Sequence, residues 1–199
     1  MKEVKMKRVV LLGDSIRLGY EGTVRAELAQ EAFVWSPPEN GQHSVHLLLN
    51  AWVWIMAQQP DIVHVNSGLW DTRRVLRGVP GNVVPLEQYR ENVRRLIEVG
   101  QKHAGARVIW ATTTPVREAA AIQGHWRKGL AGRDGSEVER YNAVAVEVAR
   151  AMGARVNDLH AVVMAQGRDK MLLEDGTHYT AAGYEVLGQA VARAVRESF

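Results

Sequence analysis

Three short apolar runs separated by longer stretches with helical spacing constrain this chain more than any other feature. Residues Arg8–Gly13 (RVVLLG), Ile62–Ser67 (IVHVNS) and Arg107–Thr112 (RVIWAT) are rich in β-branched side chains and bounded by glycine, proline or small polar residues. Apolar character that is continuous rather than alternating marks strands buried on both faces. Two weaker runs, Phe33–Ser36 and Ala154–Asn157, bring the expected strands to five. Between them Tyr89, Val93, Leu96, Ile97 and Gly100 recur at helical intervals. So do Val138, Tyr141, Ala145, Val148, Ala149 and Met152, and again Tyr184, Leu187, Val191 and Ala194. Leu18–Glu31 and Val45–Gln58 also read as helices, although Gly19 and Gly22 weaken the first. Strands alternating with helices predict right-handed βαβ units and a parallel sheet covered on both faces. With no internal repeat and no linker, residues 1–199 are expected to form a single α/β domain.

Composition removes several function classes. Apolar residues at 46% and charged residues at 24% argue against disorder. A formal charge of +3, with basic clusters only at Lys2, Lys5, Lys7, Arg8 and at Arg73, Arg74, Arg77, is too small for a nucleic-acid footprint. The absence of cysteine excludes disulfides, thiolate metal sites and a cysteine nucleophile. The apolar segment Leu47–Ala57 carries Asn50 and falls short of the ~20 residues a membrane span needs. The first apolar run, Val9–Leu12, is shorter than the roughly 7–15 residues of a signal-peptide core. The expectation is a soluble, cytoplasmic protein with neither nucleic-acid nor membrane partners.

Chemistry concentrates at two places. Gly13-Asp14-Ser15 ends the first strong strand and opens a helix. That position puts a hydroxyl in the crevice at the carboxyl edge of the sheet, beside N–H groups that favour negative charge. Ser15 is equally suited to be a helix N-cap. Asp175-Gly176-Thr177-His178 precedes the last helix, and a carboxylate three residues before an imidazole can hold one ring nitrogen. The other nitrogen is then left to take a proton from a hydroxyl. A serine after the first strand and an Asp/His pair in the last loop reach the same sheet edge if the first strand is central. Two long loops, Trp70–Pro85 and Pro115 to about Gly135, follow strands and reach that edge too.

These residues resemble the blocks of the GDSL-type, or SGNH, hydrolases, over Arg8 to Arg196. Gly13-Asp14-Ser15 matches the first block, Gly41 in Asn40-Gly41-Gln42 the second, Gly68-Leu69-Trp70-Asp71 the third and Asp175-x-x-His178 the last. The resemblance implies a flavodoxin-like three-layer α/β/α sandwich with strand order 2-1-3-4-5. It implies ester hydrolysis with Ser15 attacking, His178 as base and Asp175 orienting it. It implies no cofactor. Acyl transfer through the same triad, or a non-catalytic binding module on the same fold, are the rival readings.

One position departs from the pattern. The family's oxyanion hole combines the backbone N–H groups of the nucleophile and the second-block glycine with a third-block asparagine amide. Ser15 and Gly41 match the first two, but Trp70 stands where the asparagine should be. Losing one such donor costs about 10²–10³ in rate. The Trp70 indole N–H, Asn40 and Asn66 are the available replacements, and a planar amide on a strand-end loop needs the smaller rearrangement. Asp14, Trp70, Arg73 and Trp126 are the candidates to face substrate, with Asp14 and Asp71 more simply read as holders of loop N–H groups. Arg73, Arg74, Arg77, Trp126, Arg127 and Lys128 favour a polar or anionic ester, such as a sugar ester, over a long acyl chain. The remaining histidines, including His43 and His46, lack a metal-ligand spacing, and no metal is expected.

Overall fold

The computed structural model describes residues 6–74, 81–118 and 133–199. Five strands, β1 (Lys7–Leu12), β2 (Ala32–Trp35), β3 (Ile62–Asn66), β4 (Arg107–Ala111) and β5 (Arg155–Asn157), form one sheet in the order 2-1-3-4-5. All its pairings are parallel. Alternate residues of β1 feed the two cores. Val9 and Leu11 pack with α1 (Ser15–Glu27) and the last helix, and Val10 and Leu12 pack on the opposite face. That second face is covered by α2 (Ser44–Leu49), α3 (Ala51–Trp54), α4 (Leu86–Glu98) and α5 (Gly135–Ala151). The first face also receives α6 (Leu159–Ala165), α7 (Arg168–Met171) and α8 (Ala181–Arg196). The result is a three-layer α/β sandwich.

Three differences from the sequence expectation have local causes. The expected helix Val45–Gln58 is broken into α2, α3 and a 3₁₀ turn at Met56–Gln58. At the break the Asn50 side-chain amide donates to the His46 carbonyl at 2.9 Å, competing with the helical ladder. The first helix begins at Ser15 rather than Leu18, because Asp14 caps it through a 2.9 Å bond from the Ile16 N–H. The short helices α6 and α7 carry too few periodic positions to be seen in the sequence.

Candidate active site

Because β1 is the second strand of the sheet and β3 its neighbour, the loops after these two strands open side by side at the carboxyl edge. Ser15 is the first residue of α1, half-buried, with the N-cap role taken by Asp14. Its backbone N–H belongs to the first helical turn, where such groups lack intrahelical partners.

The last loop brings the other two residues of the expected triad. One Asp175 oxygen accepts the Thr177 and His178 backbone N–H groups, both at 2.9 Å, which fixes the loop. The other lies 2.6 Å from His178 Nδ1. On the far side of the ring, His178 Nε2 lies 2.9 Å from Ser15 Oγ. Partial burial works to raise Asp175, but the backbone and ring hydrogen bonds from His178 and the Thr177 N–H outweigh it and hold the carboxyl at about 2. An ionised Asp175 accepts from Nδ1–H, which assigns the proton to Nδ1 and leaves Nε2 to accept from the hydroxyl. Leu173 N–H donates to the His178 carbonyl at 2.8 Å, and Thr180 then caps α8, so the loop is bounded on both sides.

The second block is tied to the first by backbone. Gly41 N–H donates to the Gly13 carbonyl at 2.9 Å, so in this structure that expected oxyanion donor is already engaged. A Cβ at Gly41 would sit 2.5 Å from the same oxygen, so only glycine permits this approach. Leading into it, residues 37–39 are clamped to the nucleophile's helix by Arg17, which is fully buried. Its guanidinium donates to the Pro37 carbonyl at 2.9 Å, the Glu39 carbonyl at 2.5 Å and the Glu21 carboxylate at 2.5 Å.

The third block is held by Asp71, whose carboxylate is fully buried. It accepts from Ser44 N–H at 3.0 Å, Ser44 Oγ–H at 2.5 Å and Ser67 Oγ–H at 2.8 Å, joining the start of α2 to the end of β3. Burial pushes its pKa up despite these bonds. Asp14 is likewise buried, at 1% exposed, and raised by that burial, so it faces inward rather than toward a substrate. Both aspartates therefore hold loop backbone.

Of the replacement donors, Asn66 is occupied. Its amide donates to the Ala111 and Thr112 carbonyls, both at 3.1 Å, and stitches β3 to the end of β4. Asn40 uses its carbonyl oxygen to accept the Gln42 N–H at 2.8 Å. The Trp70 indole N–H is buried with no hydrogen-bond partner among the described residues, and the Arg73 guanidinium lies over its ring at 5.6 Å. Of the two amides that the sequence favoured as replacements, Asn66 is thus engaged between β3 and β4.

Arg133 was not legible as a site residue. It precedes α5 at the end of the second long loop, is 5% exposed, and donates through Nε to the Leu69 carbonyl at 2.8 Å. Burial lowers its pKa to about 10, opposed by the charges of Asp14 and Asp175 and assisted by that of Arg73. Only a lone arginine among turn residues marks it in the sequence. Trp126, Arg77, Arg127 and Lys128 lie outside the described residues. His43 accepts the His46 N–H and caps α2. Among the described residues no group of three or more His, Cys, Asp or Glu is arranged to hold a metal ion, and no helix is long and apolar enough to cross a membrane.

Comparison with known proteins places this geometry in context. The GDSL-like Lipase/Acylhydrolase family model matches residues 11–186. A lipase/acylhydrolase from Enterococcus faecalis is 25% identical with a TM-score of 0.78, the alignment covering 96% of each chain. A GDSL-like lipase from Bacteroides thetaiotaomicron has a TM-score of 0.74 at 21% identity, over 97% of this chain and 89% of that one. The acetyl xylan esterase AlAXEase shares the fold at a TM-score of 0.73 and 17% identity, over 94% of this chain and 99% of that one. No curated protein gives a significant match. The chain belongs to the GDSL-like lipase/acylhydrolase family, a family of carboxylic-ester hydrolases.

Proposed function

We propose that this protein is a serine esterase acting on short-chain esters, acetyl esters among them, of a small polar molecule or carbohydrate. The observation that carries the reading is the hydrogen-bonded line from Asp175 Oδ2 through the His178 ring to Ser15 Oγ, with its two links of 2.6 and 2.9 Å. Ser15 Oγ attacks the ester carbonyl carbon while His178 Nε2 takes the hydroxyl proton. Asp175, ionised at neutral pH, stabilises the imidazolium that forms. The carbonyl oxygen becomes an oxyanion, met by the N–H of Ser15 at the positive end of α1 and by the Trp70 indole N–H. His178 returns its proton to the leaving alkoxide, and water, activated by the same ring, releases the acid from Ser15. Assigning Trp70 this role gives its orphaned N–H an acceptor that arrives only with substrate.

A fluorophosphonate probe followed by peptide mass spectrometry tests the reading. The adduct is expected on Ser15 and absent in His178→Ala, whose turnover of p-nitrophenyl acetate should fall by at least about 10³-fold. Folded wild-type protein that takes no adduct at Ser15 overturns the assignment.

A further inference from the structure

Asp175 reaches His178 from a tight turn whose two ends are held by a residue outside the triad. The turn spans residues 173–176 and is closed by the Gly176 N–H on the Leu173 carbonyl at 3.0 Å. Arg117 grips both ends. Its backbone N–H donates to the Gly176 carbonyl at 2.8 Å, and its Nη2–H donates to the Leu173 carbonyl at 2.7 Å. Among the described residues, these are the hydrogen bonds that tie the turn's backbone to another segment, and the others close the loop on itself. Arg117 is itself delivered on a firm strip of chain. Just past β4, the Thr112 N–H donates to the Asn157 carbonyl at 3.0 Å, and Thr113 exchanges two bonds with the Asn142 amide, at 2.7 and 2.8 Å. The Pro115 carbonyl then accepts the Tyr179 hydroxyl at 3.0 Å, and Val116 is buried on the first face of the sheet.

We infer that Arg117 is a positioning residue for the proposed hydrolysis: it ties the Asp175–His178 loop to the sheet and so sets the distance from His178 Nε2 to Ser15 Oγ. The inference rests on the esterase reading. Asp175 and His178 are joined by local bonds, from the carboxylate to the His178 N–H and to Nδ1, so the pair moves as one body. Those bonds fix the imidazole to its carboxylate, but not to Ser15, which sits on α1 at the end of another strand. Arg117 supplies the missing reference, because the strip that carries it leaves β4, and β4 shares a sheet with β1. A charged donor on the Leu173 carbonyl makes the stronger kind of hydrogen bond. A displacement of the base of about 1 Å can cost on the order of 10²-fold in rate.

Arg117→Met keeps an unbranched stem and removes the side-chain donors. At saturating p-nitrophenyl acetate its acylation rate should fall about 10–100-fold, with the half-saturating concentration within about twofold of wild type. Arg117→Lys, which keeps a cationic donor, should recover part of the loss. The downfield proton resonance of His178 Nδ1–H should persist in Arg117→Met, since the pair's own 2.6 Å link is untouched. In the His178→Ala background Arg117→Met should cost little more, because it acts through that ring. Arg168→Met is the control: Arg168 donates to the Val116 carbonyl at 3.3 Å, on the same strip but not on the turn, and its loss should leave acylation within about twofold. Unchanged acylation in folded Arg117→Met, a rise in the half-saturating concentration alone, loss of the Nδ1–H resonance, or an equal loss in Arg168→Met overturns the inference. Should Arg117→Met not fold, Arg117→Lys is read against the same criteria. Wild-type labelling at Ser15 is scored first: its absence sinks the esterase reading, whereas labelled wild type beside an unimpaired Arg117→Met sinks this inference alone.

Discussion

A buried N–H without an acceptor costs about 1–3 kcal/mol, and the Trp70 indole carries one with no acceptor among the described residues, in the loop proposed to complete the oxyanion hole. Single-turnover acylation by an activated acetyl ester should therefore fall about 10²–10³-fold in Trp70→Phe, which keeps an aromatic ring but removes the donor. Asn66→Ala should behave differently. It strands the Ala111 and Thr112 carbonyls at the end of β4, so its signature is a lower urea midpoint and a much smaller change in acylation. A harmless Trp70→Phe beside a severe Asn40→Ala would move the donor role to Asn40. At this scale the sequence reads unevenly. Ser15, Asp175 and His178 stand in short motifs whose spacing already implies their chemistry. The fate of Asn66 depends instead on the Asn66↔Ala111 register, a relation between segments 45 residues apart that no local pattern records. Arg17 and Arg133 were missed for the same reason, since each is buried by what it grips in another loop.

Elements reveal a second limit, in glycines that propensity alone misreads. Gly19 and Gly22 both look like flaws in α1, yet the two differ in what surrounds them. A Cβ at Gly19 would lie 2.1 Å from Tyr184 Cε1 on α8, whereas one at Gly22 meets nothing within 4 Å. Gly19, together with Gly188 on α8, where a Cβ would lie 2.5 Å from Thr23 Cβ, lets α1 and α8 close on each other, with the Tyr184 ring set edge-on to Tyr179 at 5.8 Å. Gly22→Ala should raise stability by up to ~1 kcal/mol through helix propensity and a less flexible unfolded chain. Gly19→Ala should lower it by about 1–3 kcal/mol, because overpacking outweighs the same propensity gain. Urea unfolding of the two variants checks both signs, and a stabilised Gly19→Ala would mean the helices part without cost. The three central strands were legible because a buried parallel strand must be apolar along its whole length, the edge strands β2 and β5 stood out less, and the order 2-1-3-4-5 followed from the family resemblance alone. The break at Asn50 was not legible, since an apolar run hides a single side-chain amide turning back on the helix.

For the molecule as a whole, an acid-sensitive point lies at its centre, in the side chain of His64 on β3. It is fully buried, accepts the Asn157 amide on Nε2 at 3.1 Å, and stands edge-on to Tyr20 at 6.5 Å. Burial lowers its pKa from 6.5 to about 4. The unfolded chain therefore takes up this proton first as pH falls. The stability associated with a neutral His64 is fully present above about 6.5 and is lost as pH drops toward 4. At about 1.4 kcal/mol per pH unit, the loss approaches roughly 3 kcal/mol, a large share of an ordinary domain's stability. Asp175 acts in a separate window: held at about 2, it withdraws support only below its ordinary value of 3.8. Urea unfolding between pH 7.5 and 4.5 should show the wild type weakening steadily. His64→Leu should be less stable at pH 7.5, because the Asn157 amide loses its acceptor, yet show a flatter slope through the same range. General charge repulsion at low pH acts on both proteins, so the difference in slope isolates this ring. Equal slopes would place the acid sensitivity on other groups and would mean that the core admits a charged His64.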